Sequence, residues 1–229
     1  MTIGMKLTVL GATGGTGREL VRQALERGHH VLAVVRTPSK LTIEHENLKV
    51  VQGDVLSPNT DLKGSFEGQD AVLSCLGNSP DSTPVTKLIF SRTTIYTDTM
   101  EIIVKAMREA NVKRLVCMTS WCTKNNPKDP GPRIIEWILK PLVYGRVLRN
   151  MGIMEDFLIE KCSDIDYTVV RPPGLTDKPA SGKDLAIEER MFVGGAPQSI
   201  PRTDVAKFML DTLSTDEYNK KAVAIAVSK

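Results

Sequence analysis

Three glycines at a fixed spacing, Gly11, Gly14 and Gly17, stand between an apolar run over residues 7–10 and a helical pattern over residues 18–25. Strand, tight loop and helix in that order make a phosphate site. The first amides of a helix lack partners inside it and carry partial positive charge, so they attract anions. Gly11 lets the chain turn sharply off the strand, Gly14 removes a Cβ that would block a pyrophosphate, and Gly17 lets the helix close on the sheet. A second group of residues sharpens this. Arg36 directly follows the apolar run 30–35, where a chain that reads a ribose 2′-hydroxyl carries a carboxylate. Arginine suits a 2′-phosphate instead. Thr37 and Ser39 add hydroxyls and Lys40 a second cation, so the pattern favours NADP over NAD.

These residues need a frame, and the remaining pattern supplies it. Apolar runs at 7–10, 30–35, 48–52, 71–76, 114–119, 166–171 and 222–227 read as strands, most of them apolar on both faces as in a parallel sheet. Helical patterns separate them: 18–27 closed by Gly28, a short polar helix at 59–66, a long one at 87–110 with Ile95, Thr99, Ile102, Ile103, Ala106 and Met107 on its apolar face, a broken one at 133–162, and a last one at 200–213. Residues 183–194 read as a β excursion. The fold class is α/β, a doubly wound Rossmann fold with a mostly parallel sheet in a single domain spanning 1–229. In such a fold the strand exits share one crevice. Gly53-Asp54-Val55, Leu76-Gly77-Asn78, Thr119-Ser120-Trp121 and Pro172-Pro173 therefore converge with the glycine loop. Asp54 suits either an adenine amino group, with Val55 against the ring, or a turn cap. Ser120 suits either a carboxamide or a strand end. His29 and His30 fall at the opposite end of the sheet and read as structural.

Composition narrows the classes. A net charge of +3, with 30 basic residues against 27 acidic ones, is too mild for nucleic acid but suits an anionic ligand. The N-terminus does not read as a signal peptide, and no apolar run reaches the length of a membrane span. Cys75, Cys117, Cys122 and Cys162 have neither C-x-x-C spacing nor histidines near them in sequence, so reduced thiols in a cytoplasmic protein and no metal are expected. The stretch 134–144 is unusually apolar and suits a core helix, a lid over a flat substrate or an interface.

Taken in order, Gly11–Gly17, Arg36 near Ser39-Lys40, Gly53-Asp54-Val55-Leu56, Gly68-Gln69-Asp70-Ala71-Val72, Leu76-Gly77, Thr119-Ser120 and Arg171-Pro172-Pro173 resemble the atypical, NmrA-like short-chain dehydrogenases. Asp204-Val205-Ala206 and the segments after it resemble the tail of one branch, the biliverdin-IXβ reductase and NADPH-dependent flavin reductase family. That resemblance implies a monomeric NADPH-binding domain with an open pocket that reduces flavins and linear tetrapyrroles. It implies pyrophosphate contacts at Thr13, Gly14, Gly15, Thr16 and Gly17, 2′-phosphate contacts at Arg36, Ser39 and Lys40, and adenine contacts at Asp54 and Val55. The nicotinamide side falls to Leu76, Gly77, Thr119, Ser120 and Pro172, and the substrate side to Asn78, Trp121 and Pro173. The chain departs from the branch in extra length around 79–96 and 133–151 and in the pocket helix, which reads Gly152-Ile153-Met154-Glu155-Asp156-Phe157 without histidine. The lid or insertion is placed at 121–157, with a dimer contact through 133–145 as its other use.

Short-chain dehydrogenases use Tyr-x-x-x-Lys as acid and pKa-lowering partner. Here the residues four beyond Tyr96, Tyr144, Tyr167 and Tyr218 are Met100, Leu148, Arg171 and Ala222. Two functions fit that absence. One is an NADPH-dependent reductase passing hydride to a flavin such as FMN, a biliverdin-like tetrapyrrole or a quinone, with Ser120 positioning. The other is a non-enzymatic NADP(H) sensor acting through a partner protein.

Overall fold

Strand β1 (Lys6–Leu10), buried from Leu7 onward, pairs in parallel with β2 (His30–Val35) on one side and with β4 (Ala71–Ser74) on the other. The computed structural model describes residues 4–77, 94–124, 131 and 145–229. The chain leaves β1 through α1 (Gly15–Glu26), builds β2 and the edge strand β3 (Leu48–Gln52), and then crosses back through α2 (Leu62–Phe66) to β4. It continues outward through α3 (Ile95–Glu109), β5 (Arg114–Met118), α4 (Gly145–Lys161) and β6 (Asp166–Arg171). The short strands β7 (Gly174–Thr176), β8 (Leu185–Glu188) and β9 (Ser199–Pro201) follow, then α5 (Arg202–Asp211) and β10 (Lys221–Val227). The main sheet runs β3-β2-β1-β4-β5-β6-β10-β8 and is parallel except for β8, while β7 and β9 form a separate pair. The order reverses between β1 and β4, the switch point where doubly wound sheets bind their ligands.

Two apolar layers hold the sheet. On one face α2, α3 and α4 bury Phe66, Ile103, Met107, Met154 and Leu158. On the other, α1 and α5 bury Leu20, Val21, Ala24, Val205 and Met209. Burial of this apolar surface is the main force favouring the fold. Polar groups fix how the layers sit. The buried Asn150 of α4 accepts from the Tyr96 amide (2.9 Å) and donates to the Thr97 hydroxyl (3.0 Å), so one helix caps the first turn of another. The His29 imidazole Nδ1 accepts from the Met5 amide (3.0 Å), a structural role at the end away from the glycine loop.

Several boundaries differ from the sequence reading, each for a local reason. Helix α2 starts at Leu62 because the Asp61 carboxylate caps Gly64 and the residues before it close turns. The last helix starts at Arg202 because Ser199–Pro201 pair with β7. Strand β4 stops at Ser74, where the chain bends beneath Gly11. On α3 the buried stripe runs through Tyr96, Met100, Ile103, Val104 and Met107, while Ile102 is 36% exposed. Asn78, the stretch 134–144 and the first part of the expected 87–110 helix lie outside the described residues, and α4 is described from Gly145.

At the C-terminal ends of α3 and α4, Arg108 grips Asp164 with two bonds (2.8 and 2.7 Å) and the Lys161 carbonyl with a third (3.0 Å). The Arg108 hydrogen bond lowers the Asp164 carboxyl from 3.8 to about 2. A depressed carboxyl stabilises the fold above its unfolded value and loses that contribution as pH falls through its folded value. Both partners are well exposed, so the pair contributes less than about 1 kcal/mol. Asp164→Asn is expected to be slightly less stable than wild type at neutral pH in urea denaturation, with the gap closing as pH falls from about 4 to about 2.

Candidate cofactor site

At Gly11 and Gly17 the glycine loop is held by backbone contacts that leave no room for side chains. A Cβ on Gly17 would lie 2.2 Å from the Gly11 carbonyl oxygen, and one on Gly11 would lie 2.7 Å from the Cys75 carbonyl. Gly11 has φ +76°, a conformation that favours glycine. The Gly14 amide donates to Gly11 (3.0 Å) and the Arg18 amide to Gly14 (2.8 Å). Among the described residues the amides of Gly15, Thr16 and Gly17 have no backbone partner, and α1 has neither a side-chain cap nor an acidic residue in its first turn. The Thr16 hydroxyl is buried and without a partner, while Gly14 and Gly15 are exposed. Unpaired donors at an open helix start fit a phosphate. Gly14 itself has only the Gly11 carbonyl near its missing Cβ, at 3.4 Å, so the space there is open.

The 2′-phosphate candidates sit at the end of β2. The Gly53 amide donates to Val35 (2.9 Å) and the Gln52 amide group to the Arg36 carbonyl (3.4 Å), which sets Arg36 beside Asp54. Arg36, Ser39 and Lys40 are exposed, and no carboxylate among the described residues pairs with either cation. One Asp54 carboxylate oxygen accepts from the Leu56 amide (3.1 Å), as a turn cap does, and the Asp54 amide and carbonyl engage the Thr60 hydroxyl. Val55 is buried and lines a groove of about 630 Å³ shared with α2 and α3.

The exits of β4, β5 and β6 lie side by side on the same edge, and here the structure adds what the sequence concealed. Glu155 of α4 is fully buried and accepts from the Thr119 hydroxyl (2.8 Å), the Thr123 hydroxyl (3.0 Å) and two Arg171 nitrogens (3.2 and 2.6 Å). The remaining Arg171 nitrogen donates to the Arg190 and Ala222 carbonyls. The Thr119 hydroxyl therefore serves this network. Ser120 is half-buried beside it, and the Trp121 amide donates to the Pro172 carbonyl (2.9 Å), tying the β5 exit to the β6 exit. The Trp121 side chain does not line the crevice as expected. It is 2% exposed and packs with Cys122, Val193 and Phe192 under the β8–β10 edge, just before the chain turns at Cys122 (φ +59°). Pro172 and Pro173 are buried, Leu76 is half-buried and Gly77 is exposed. A Cβ on Gly77 would meet the Tyr96 hydroxyl at 2.9 Å. Burial pushes the Cys75 thiol up to about 12 and raises that of Cys117 further, so both stay protonated.

Two residues of this region escaped the sequence reading. Glu155 stood in the quoted pocket helix, and its signal was a carboxylate between the core residues Met154 and Leu158. Arg202 stood at the start of the last helix, and its side chain lies against Gly15.

A family model described as NAD(P)H-binding matches residues 11–216. The chain belongs to this NAD(P)H-binding family. Over 225 residues it is 33% identical to the uncharacterized protein YwnB of Bacillus subtilis, covering 96% of this chain and 98% of that one. It is 24% identical over 240 residues to the oxidoreductase StcQ of Emericella nidulans, covering 95% and 81%. It is also 24% identical over 232 residues to the photosystem II assembly factor Ycf39 of Synechocystis, covering 98% of this chain but only 63% of that factor. The structure of a candidate NADH-flavin reductase from Streptococcus pneumoniae matches with a TM-score of 0.76 at 21% identity, over 98% of this chain and all of that one. This NAD(P)H-binding chain has the Rossmann fold. No helix among the described residues is long and apolar enough to cross a membrane.

Removing one partner of a buried ion pair leaves the other charge stranded, at a cost of roughly 3–5 kcal/mol. Glu155→Gln is therefore expected to lower stability by about that amount in urea denaturation. Glu155→Leu combined with Arg171→Met should recover most of the loss. A single variant within about 1 kcal/mol of wild type would show that the network does not hold this edge.

Proposed function

We propose that the chain is an NADPH-dependent reductase that passes hydride to a conjugated acceptor: a flavin such as FMN, a biliverdin-like tetrapyrrole or a quinone. The observation that carries the choice of cofactor is the exposed Arg36–Lys40 pair with no carboxylate partner among the described residues, next to a glycine loop with free donors. The diphosphate falls to Thr13 through Gly17, the 2′-phosphate to Arg36, Ser39 and Lys40, and the adenine to the Asp54–Val55 turn.

The choice of acceptor rests on what the nicotinamide edge offers. Bound NADPH would supply the hydride from its nicotinamide ring. Leu76, Gly77, Ser120 and Pro172, the residues we assign to that edge, are mostly apolar. Glu155 is committed to Arg171, and Tyr96 has Met100 where a lysine would be needed. The residues thus orient an acceptor but deliver no proton. An electron-poor conjugated ring takes hydride and draws its proton from water, whereas a simple carbonyl needs an acid. This is the chemistry of the flavin and biliverdin-IXβ reductase branch that the chain resembles. We assign the substrate side to Asn78 and Pro173 and the lid or insertion to residues 121–157, in a protein that works as a monomer or pairs through 133–145.

A second reading, an NADP(H)-binding regulator acting through a partner protein, is favoured by one observation. The chain aligns over 98% of its length with a protein named as an assembly factor. A steady-state screen of NADPH and NADH oxidation against FMN, a biliverdin and a quinone separates the two. Turnover with at least one acceptor is expected, and tight NADPH binding without turnover would favour the regulator. Losing a charge-assisted contact costs about 1.5–3 kcal/mol, or roughly 10–100-fold in affinity. Arg36→Ala should therefore weaken NADPH by about that factor while NADH changes little, and equal losses would remove Arg36 from the 2′-phosphate.

A further inference from the structure

Of the two adjacent glycines in the loop, Gly14 has an evident reason and Gly15 does not, until the far end of the chain is considered. An ideal Cβ on Gly15 would lie 2.6 Å from both Cδ and Nε of Arg202 and 3.3 Å from its Cζ. Gly15 is the first residue of α1, exposed, with a free amide among the described residues. The Arg202 side chain therefore lies across the open start of this helix, whose next residue, Thr16, has a buried and unpartnered hydroxyl.

The backbone under Arg202 is firmly held. It follows β9, whose Ile200 is fully buried, and opens α5, which packs along α1. The Gln23 side chain donates to the Thr203 carbonyl (2.9 Å), and both carboxylate oxygens of the buried Asp204 accept from the Ser181 amide (3.2 and 3.1 Å). Only the side chain of Arg202 is left to adjust. Its present partner is Asp177, at 2.7 Å, and the pair is lopsided: the arginine side chain is 23% exposed and the aspartate 85%. A carboxylate in open solvent holds a cation weakly. A phosphate group at a helix start, with oxygens that match the guanidinium fork, holds one better.

We propose that Arg202 is a further cofactor-binding residue. Its guanidinium clamps the outer side of the diphosphate against the glycine loop, and Asp177 holds it in position until the diphosphate takes over. Gly15 is glycine because a side chain there would push the clamp away. The inference rests on the reading of the loop as a dinucleotide site, and it differs from the role of Arg36 in a measurable way. The diphosphate is common to NADPH and NADH, and the 2′-phosphate is not.

The test is fluorescence titration of the full chain with NADPH and with NADH, alongside thermal denaturation to confirm folding. Arg202→Ala should weaken both cofactors by the same factor, about 10–100-fold, and Arg202→Lys should recover part of the loss. Asp177→Asn, which frees the guanidinium, should weaken neither and should tighten both by about 2–5-fold if the aspartate competes as a surface ion pair does. Wild-type affinity in Arg202→Ala would overturn the proposal. So would an Asp177→Asn variant that loses as much as Arg202→Ala, because the pair would then be a brace between β7 and α5. A wild type that binds neither cofactor would instead overturn the dinucleotide reading and this inference with it.

Discussion

The carbonyl of Gly11 occupies the space that a side chain on Gly17 would need, and the rest of the site is positioned by that contact. It forces α1 to start directly over the end of β1, with its free amides facing the gap between β1 and β4. The same residue presses on the Cys75 carbonyl, so β4 must also stop there. Three segments thus meet at one point with only backbone between them. Parallel pairing then carries the registration outward. Leu10 lies opposite Val34 and Ser74, Ser74 opposite Cys117, and Cys117 opposite Val169, which places every strand exit on one edge.

The two ends of that edge are built from different materials. At the glycine-loop end, the proposed phosphate end, backbone amides and exposed cations stay open. At the nicotinamide end a buried charge network draws the exits of β5 and β6 together. Glu155 and Arg171 are both nine-tenths or more buried, and the two threonines and two carbonyls around them take most of their remaining hydrogen-bonding capacity. A fully satisfied buried network rigidifies its surroundings, and a partly satisfied one destabilises them. Gly152 extends the same frame. A Cβ there would lie 2.8 Å from the Thr123 carbonyl, so α4 approaches the loop after β5 closely enough for Glu155 to reach it.

What the sequence made legible was whatever is local. The glycine loop, the strand Asp166–Arg171 and the helix end at Gly28 each follow from neighbouring residues, and the structure contains all three. The doubly wound order was legible too, because apolar runs alternating with helical patterns admit few topologies. The contacts of Arg202 with Gly15 and of Glu155 with Arg171 were not, since each joins segments that only the finished sheet brings together. Trp121 departs from its expected place because a strand exit indicates where the backbone goes, while packing against Val193 and Phe192, distant in sequence, holds the ring. On α3, spacing alone gave a face containing Ile102, yet α4 packs against Tyr96 and Met100, because Asn150 fixes how that helix is turned.

These two ends together bear on the proposed chemistry. Reduction of an isolated carbonyl builds charge on one oxygen, and that charge must be met by a donor held in place beforehand. At the described nicotinamide edge the one carboxylate is already neutralised by a guanidinium, the thiols of Cys75 and Cys117 are held protonated by burial, and the hydroxyl of Thr119 points into the core network. A delocalised ring spreads the incoming electron pair over many atoms and needs orientation more than it needs an acid. On the proposed reading the exposed cations Arg36 and Lys40 serve the other end of the cofactor. An arrangement with charge at the phosphates and rigid, neutral walls at the nicotinamide suits an acceptor chosen by shape and electron affinity. For such a site, the frame around Glu155 matters through the spacing it keeps between Ser120 and Pro172, not through any proton it could release.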